Sequence, residues 1–232
     1  ATTRETLNRY FSVFIPVIEA HGGHVMDIVG DSAMCLWLID RGPAEACRQA
    51  RAAALELHRR MNEAPLDDDT ALPTRFGLHL GPVFLGEVGS AGHRELRVVG
   101  DIVNTASRIQ GANKPLGTRI LASAEICRAI PEPPPDAGQA RPLGRFLLAG
   151  KQSPIDLYEI RARALPPDAM RLFDSARDEL PSTPDSARDK LKDVLSWCPG
   201  DGPTRFYLQR ALDRLAGEDL PDRSDCIVLD TK

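Results

Sequence analysis

Apolar positions recur three or four residues apart at the start of the chain. Leu7, Tyr10, Phe11, Phe14, Ile15 and Ile18 share one face of a helix expected over 3–20, which Gly22-Gly23 ends. The pattern then becomes strand-like. HVMDIV and SAMCLWLI flank Gly30-Asp31, a tight-turn pair between apolar runs, so 24–39 reads as a hairpin. Pro43 to Met61 is Ala- and Arg-rich, with Pro in the first turn of an expected helix, and Pro65 to Ala71 is an acidic loop. Thr74 to Val88 is strand-like on both sides of Gly81-Pro82. After a turn at Gly89 to His93, Glu95 to Val99 is another strand. Asp101 is placed to cap a helix running to about Ala112. A short strand (TRILAS), a short helix (AEICRAI), a Pro-rich loop at 131–138 and a closing hairpin of Arg145–Leu148 with Ile155–Ile160 follow. Beyond Pro166 the period is helical, near 167–180, 185–197 and 203–216, and 217–232 reads as a tail. Helices interleaved with hairpins up to Ile160 predict an α+β sandwich with helices on one side of a sheet.

At 232 residues the chain buries enough surface to fold without metal or disulfide staples. A net charge of −4 gives no support for nucleic-acid binding. The odd set of Cys35, Cys47, Cys127, Cys198 and Cys226, without C-x-x-C spacing, reads as reduced thiols of a cytoplasmic protein. The longest apolar run, Ala33 to Ile39, is too short to span a bilayer, and no signal peptide is visible. GRFLLAGKQS has one residue too many for a Walker loop, and Gln152 stands where Ser or Thr would bind magnesium. His21 and His24 lack the H-E-x-x-H pattern of a metal pair. Asp31 at a hairpin tip is one carboxylate, a weak cation site on its own. Asn104 and Arg108, four apart, share one helical face a turn inside a helix start, a place suited to phosphate.

HGGHVMDIVGDSAMCLW, RFGLHLGPVFLGEVG, VVGDIVNTASRIQGANKPLGTRILAS and LGRFLLAGKQSPIDLYEI stand in the order and spacing of class III adenylate and guanylate cyclase domains. The resemblance covers about residues 3–160, and it implies a ferredoxin-like α+β fold for a cyclase domain over 1–160. The helices of 166–216 resemble the TPR-like pair that follows the cyclase domain in some bacterial transmembrane cyclases. The implied reaction makes a cyclic nucleotide and pyrophosphate from ATP or GTP. In the family, two Mg²⁺ (or Mn²⁺) ions activate the ribose 3′-hydroxyl. The implied assembly is a head-to-tail homodimer, with any membrane link lying in a part that precedes Ala1. By motif position Asp31 matches the second metal aspartate, Asn104 the ribose-orienting residue and Arg108 the transition-state arginine.

Four departures accompany the resemblance. The family's opening strand, with the first metal aspartate, is absent. Asp27 stands at the base-reading lysine of adenylate cyclases, where an acid is guanylate-like, and Arg97 stands at its partner position, so an Asp27–Arg97 pair is expected to fill the base pocket. Ala149 replaces the triphosphate lysine, and Lys151, two residues on, is the expected substitute. Three functions follow: a nucleotide cyclase, a silent cyclase-like dimerisation module, or an interaction protein working through its helices.

Overall fold

The computed structural model describes residues 3–63, 74–90, 93–134, 137–223 and 225–229. Helix α1 (Thr3–Ala20) leads into a hairpin of β1 (His24–Val29) and β2 (Ser32–Leu36). Helix α2 (Pro43–His58) follows, extended by a π-helical turn at Arg59–Glu63. The short β3 (Phe76–Leu78) precedes a second hairpin, β4 (Phe84–Ser90) with β5 (His93–Val99). Helix α3 (Asp101–Leu116), β6 (Ile120–Ser123), α4 (Ala124–Ala129), β7 (Gln139–Leu148) and β8 (Ile155–Arg161) complete the α+β part. Helices α5 (Pro167–Glu179), α6 (Pro184–Trp197) and α7 (Gly202–Leu215) and strand β9 (Ile227–Leu229) close the chain. The acidic loop expected at 65–71 lies outside the described residues.

Five strands form the main sheet, in the order β3-β6-β8-β7-β9. β3 runs parallel to β6 and β9 parallel to β7, while β8 is antiparallel to both neighbours. The β1–β2 and β4–β5 hairpins are separate two-stranded sheets. Helices cover both faces of the main sheet, not one. Successive strand residues point to opposite faces, and on β6 Leu121 joins the cluster under α3 and α5–α7 while Ile120 and Ala122 join the one under α2 and α4. All four β6 residues are buried, so the alternation that would reveal a one-sided sheet is absent from its sequence.

Three packing features set the architecture. Gly77 lets α3 lie directly on β3: a Cβ there would sit 2.3 Å from the Ala106 carbonyl oxygen and 2.4 Å from the Gln110 nitrogen. Asn113 secures the contact by donating to the Phe76 carbonyl at 2.9 Å. The helical segment shares a core with the sheet: Phe173, Ala176, Leu191, Val194, Tyr207 and Ala211 pack with Ile109, Leu121, Leu143, Phe146 and Leu157. Tyr207 donates its hydroxyl to the Leu143 carbonyl, deep in that core. At its margin the backbones of Gly117 and Gly202 touch, a Cβ on Gly202 falling 2.3 Å from the Gly117 carbonyl oxygen.

An ionic network ties α7 to the sheet. Arg141, fully buried, donates to both Asp201 oxygens at 2.9 and 2.8 Å and lies 3.6 Å from the Phe173 ring centre. Arg161 joins Asp201 at 2.9 Å and Glu159 at 3.1 Å. Burial opposes the charge of Asp201, yet Arg141, Thr204 and Arg161 outweigh it and hold the carboxyl below its ordinary range. For Glu159 burial prevails and pushes the carboxyl up.

Three local readings differ. Trp37 to Ile39 leaves the strand because Leu36 already pairs with His24, the first residue of β1; beyond it the Trp37 indole donates to the His21 carbonyl at 2.9 Å. Helix α3 continues past Ala112 through Pro115 to Gly117, which caps it in the left-handed region. In the tail, β9 adds to β7, and Asp222 pairs with Arg210 and Arg214. The run Ile227–Leu229 is too short to register as an element by pattern. All five cysteines are free thiols.

Candidate functional site

Helix α3 presents the residues that sequence spacing singles out. Asn104 and Arg108 are both exposed, one turn apart on its outer face. The helix begins at Gly100, and Asp101 is its first helical residue with no side-chain cap, so the expected Asp101 cap is corrected. Its carboxylate is taken by Lys151, whose ammonium donates to Asp101 at 2.5 Å and to the Thr105 hydroxyl at 2.8 Å. That bond holds the Asp101 carboxyl below its usual range. The β7–β8 turn thus lies over the start of α3. A Cβ on Gly150 would stand 3.9 Å from the Arg108 guanidinium. Lys151 and Arg108 therefore share one corner with Asn104 beside them.

His79, the histidine of the G-x-H-x-G-P stretch, backs this corner. Its Nδ1 lies 2.9 Å from the Ser123 hydroxyl and 3.9 Å from Glu125. Burial pushes its imidazole below the ordinary range, with Glu125 opposing and Lys151 adding to the effect. Asp101, Thr105 and His79 were not among the candidates drawn from sequence. The only signal for Asp101 and Thr105 is their i, i+4 spacing on α3.

The acidic candidates lie on a different element. Asp31 is exposed at the β1–β2 turn, and Asp27 is exposed on β1 beside an irregularity in the pairing between Val25 and Asp27. Neither has a hydrogen bond or ion pair among the described residues. The structure does not bring them into contact with Asn104, Arg108 or Lys151. Arg97 stands on β5 with its backbone opposite Gly86. Its side chain lies outside the described residues, and so does the expected Asp27–Arg97 pair.

A divalent cation needs several hard oxygen ligands. Among the described residues no group of three carboxylate, imidazole or thiolate side chains is assembled. Asp31, a single exposed carboxylate, does not fit a two-ion centre by itself. Among the described residues no helix is long and apolar enough to cross a membrane.

The chain thus carries a cationic corner with an exposed amide and, on a separate hairpin, two exposed carboxylates. Comparison with known proteins places the chain in a family. Residues 1–155 match the family described as the adenylate and guanylate cyclase catalytic domain. The chain is 35% identical over 158 residues to adenylate cyclase 1 of Rhizobium meliloti, a match covering 66% of this chain and 23% of that relative. It spans 23% to 45% of the length of three curated relatives. The adenylyl cyclase CyaB from P. aeruginosa superposes with a TM-score of 0.59 at 21% identity, over 69% of this chain and 83% of that one. The guanylate cyclase domain of RhGC from Catenaria anguillulae, solved in complex with GTP, gives 0.54 at 23% identity, over 71% and 87%. By fold, by motif order and by the extent of the match, the chain belongs to the adenylate and guanylate cyclase catalytic domain family.

Proposed function

We propose that this chain is the catalytic module of a nucleotide cyclase that converts ATP or GTP into the 3′,5′-cyclic nucleotide and pyrophosphate. The observation that carries the reading is the separation just described. Asn104, Arg108 and Lys151 gather on one face, while Asp27 and Asp31 stand exposed and unpaired on another element. Two half-sites of opposite charge on one chain become one complete site when two copies pack head to tail. Apolar side chains support such an interface: Val29, next to the Gly30–Asp31 turn, is 69% exposed and Phe84 on β4 is 67% exposed.

In the proposed reaction the ribose 3′-oxygen forms the bond to the α-phosphorus, and the bond from that phosphorus to the α–β bridging oxygen breaks. Pyrophosphate leaves and the 3′-hydroxyl proton passes to solvent. Asn104 orients the ribose through its amide. Arg108 places a fixed positive fork where charge builds on the α-phosphoryl oxygens. Lys151 exchanges Asp101 for the triphosphate, and Asp101 parks it until substrate arrives. Class III cyclases use divalent metal ions. Asp31 supplies one carboxylate toward such an ion, and the donor set needs a second from beyond the described residues. That shortfall favours one alternative, a silent dimerising module.

Mixing variants of the full-length protein decides between them. Arg108→Ala and Asp31→Ala are each expected to be inactive with either nucleotide. Their mixture should recover about a quarter of wild-type turnover, because half the dimers are mixed and each keeps one intact site. No recovery from the mixture would refute a site shared between copies. No product from the wild-type full-length protein would establish the silent module.

A further inference from the structure

A cavity of about 180 Å³ opens just beyond the C-terminal end of α3, the opposite end of that helix from Asp101 and Lys151, where four segments meet. Its walls are His58 at the end of α2, Thr118 and Arg119 between α3 and β6, Glu159 and Arg161 on β8, and Arg163 in the link to α5. Three arginines line one concave site, and the balance of charge around it is uneven. Arg161 and Arg141 are answered by Glu159 and Asp201, two cations against two carboxylates. Arg119 and Arg163 have no side-chain partner among the described residues, so they leave an excess of two positive charges at the mouth.

We propose that this cavity is a binding site for a small phosphate-bearing anion, distinct from the substrate corner on α3. Charge selects the class. A phosphate monoester carries about 1.5 to 2 negative charges at neutral pH, close to the charge of the two unanswered guanidiniums. A carboxylate would leave one of them unmatched. Donor chemistry agrees, because planar guanidinium forks bind phosphate oxygens in pairs. Arg161 is already fixed by Glu159 and Asp201, so it offers a pre-positioned donor at little entropic cost. The space is ample for a phosphate group. At the adjacent end of α3, the carbonyls of Lys114 and Asn113 accept from the backbone of Gly117 and Thr118.

This site stands whether or not the chain is a cyclase. Thermal unfolding of the chain should be followed in sodium phosphate against sodium chloride at matched ionic strength. Phosphate is expected to raise the midpoint by about 3–5 °C at a tenfold excess over its dissociation constant. Arg119→Ala combined with Arg163→Ala, both at exposed positions, should keep the fold and abolish the rise. Arg108→Ala should keep the rise in full. A rise that persists in the double variant, or one lost in Arg108→Ala, would place the phosphate elsewhere and overturn the proposal. So would no rise in the unsubstituted chain. Vesicles containing a phosphorylated inositol lipid separate the sources: capture by vesicles without any response to free phosphate would also overturn it.

Discussion

Lys151 shows how much one side chain can carry. It is held by Asp101 and Thr105 at the start of α3, and the proposed role requires it to move to a triphosphate. Asp101→Asn removes the competing charge. In the full-length protein this variant is expected to lower KM for the nucleotide with kcat nearly unchanged, whereas Lys151→Ala should raise KM about tenfold or more; steady-state kinetics on both variants check this. His79 gives a second residue-scale expectation. Burial holds its imidazole below the ordinary value, so the folded state binds fewer protons than the unfolded chain just below pH 6.5. Its contribution to stability is therefore present above that pH and falls as the solution is acidified. His79→Gln should flatten this part of a pH-dependent melting profile, and a profile unchanged by the substitution would contradict the assignment.

At the scale of elements, the close approaches between backbones decide what the fold tolerates. Gly77→Val forces α3 off β3 and is expected to cost about 1–3 kcal/mol or more, read from denaturant midpoints. Removing one member of the buried network costs more: Asp201→Ala leaves the buried Arg141 and its neighbour Arg161 with Glu159 as their one remaining carboxylate in the network, with an expected loss of about 3–5 kcal/mol. The hairpin around Gly30-Asp31, the helix carrying Asn104 and Arg108, and the three closing helices were legible because each has a clear period or turn pair. Sheet order was not legible, since β6 is buried on both faces and has no alternation to read. Nor was the Lys151–Asp101 contact, which joins residues 50 positions apart and exists only once the β7–β8 turn folds over α3. The network of Arg141 and Asp201 escaped for the same reason. Arg141 lies ahead of the strand expected from Arg145, whereas the observed strand begins at Gln139 and buries it.

Across the whole molecule, the helical segment and the sheet are one cooperative body. The core that buries Phe173, Leu191 and Tyr207 also buries Leu143 and Phe146. Leu191→Ala should lower stability by about 2–5 kcal/mol, and the sheet and the helices should lose structure together. Near-ultraviolet and far-ultraviolet circular dichroism would then show one shared transition, while two separated transitions would mean that α5–α7 folds as an independent unit.

The Arg141–Asp201 pair also bears on how the chain is made. The two residues lie 60 positions apart. At synthesis rates of about 5–20 residues per second, the strand carrying Arg141 leaves the ribosome about 3–12 s before its carboxylate partner. Until Asp201 follows, Glu159 is the one carboxylate of this network available to both Arg141 and Arg161, and the sheet has an apolar face with no helices over it. Nascent chains stalled between 165 and 200 should therefore be readily cut by protease and held by chaperones, and chains stalled well beyond 201 should resist both.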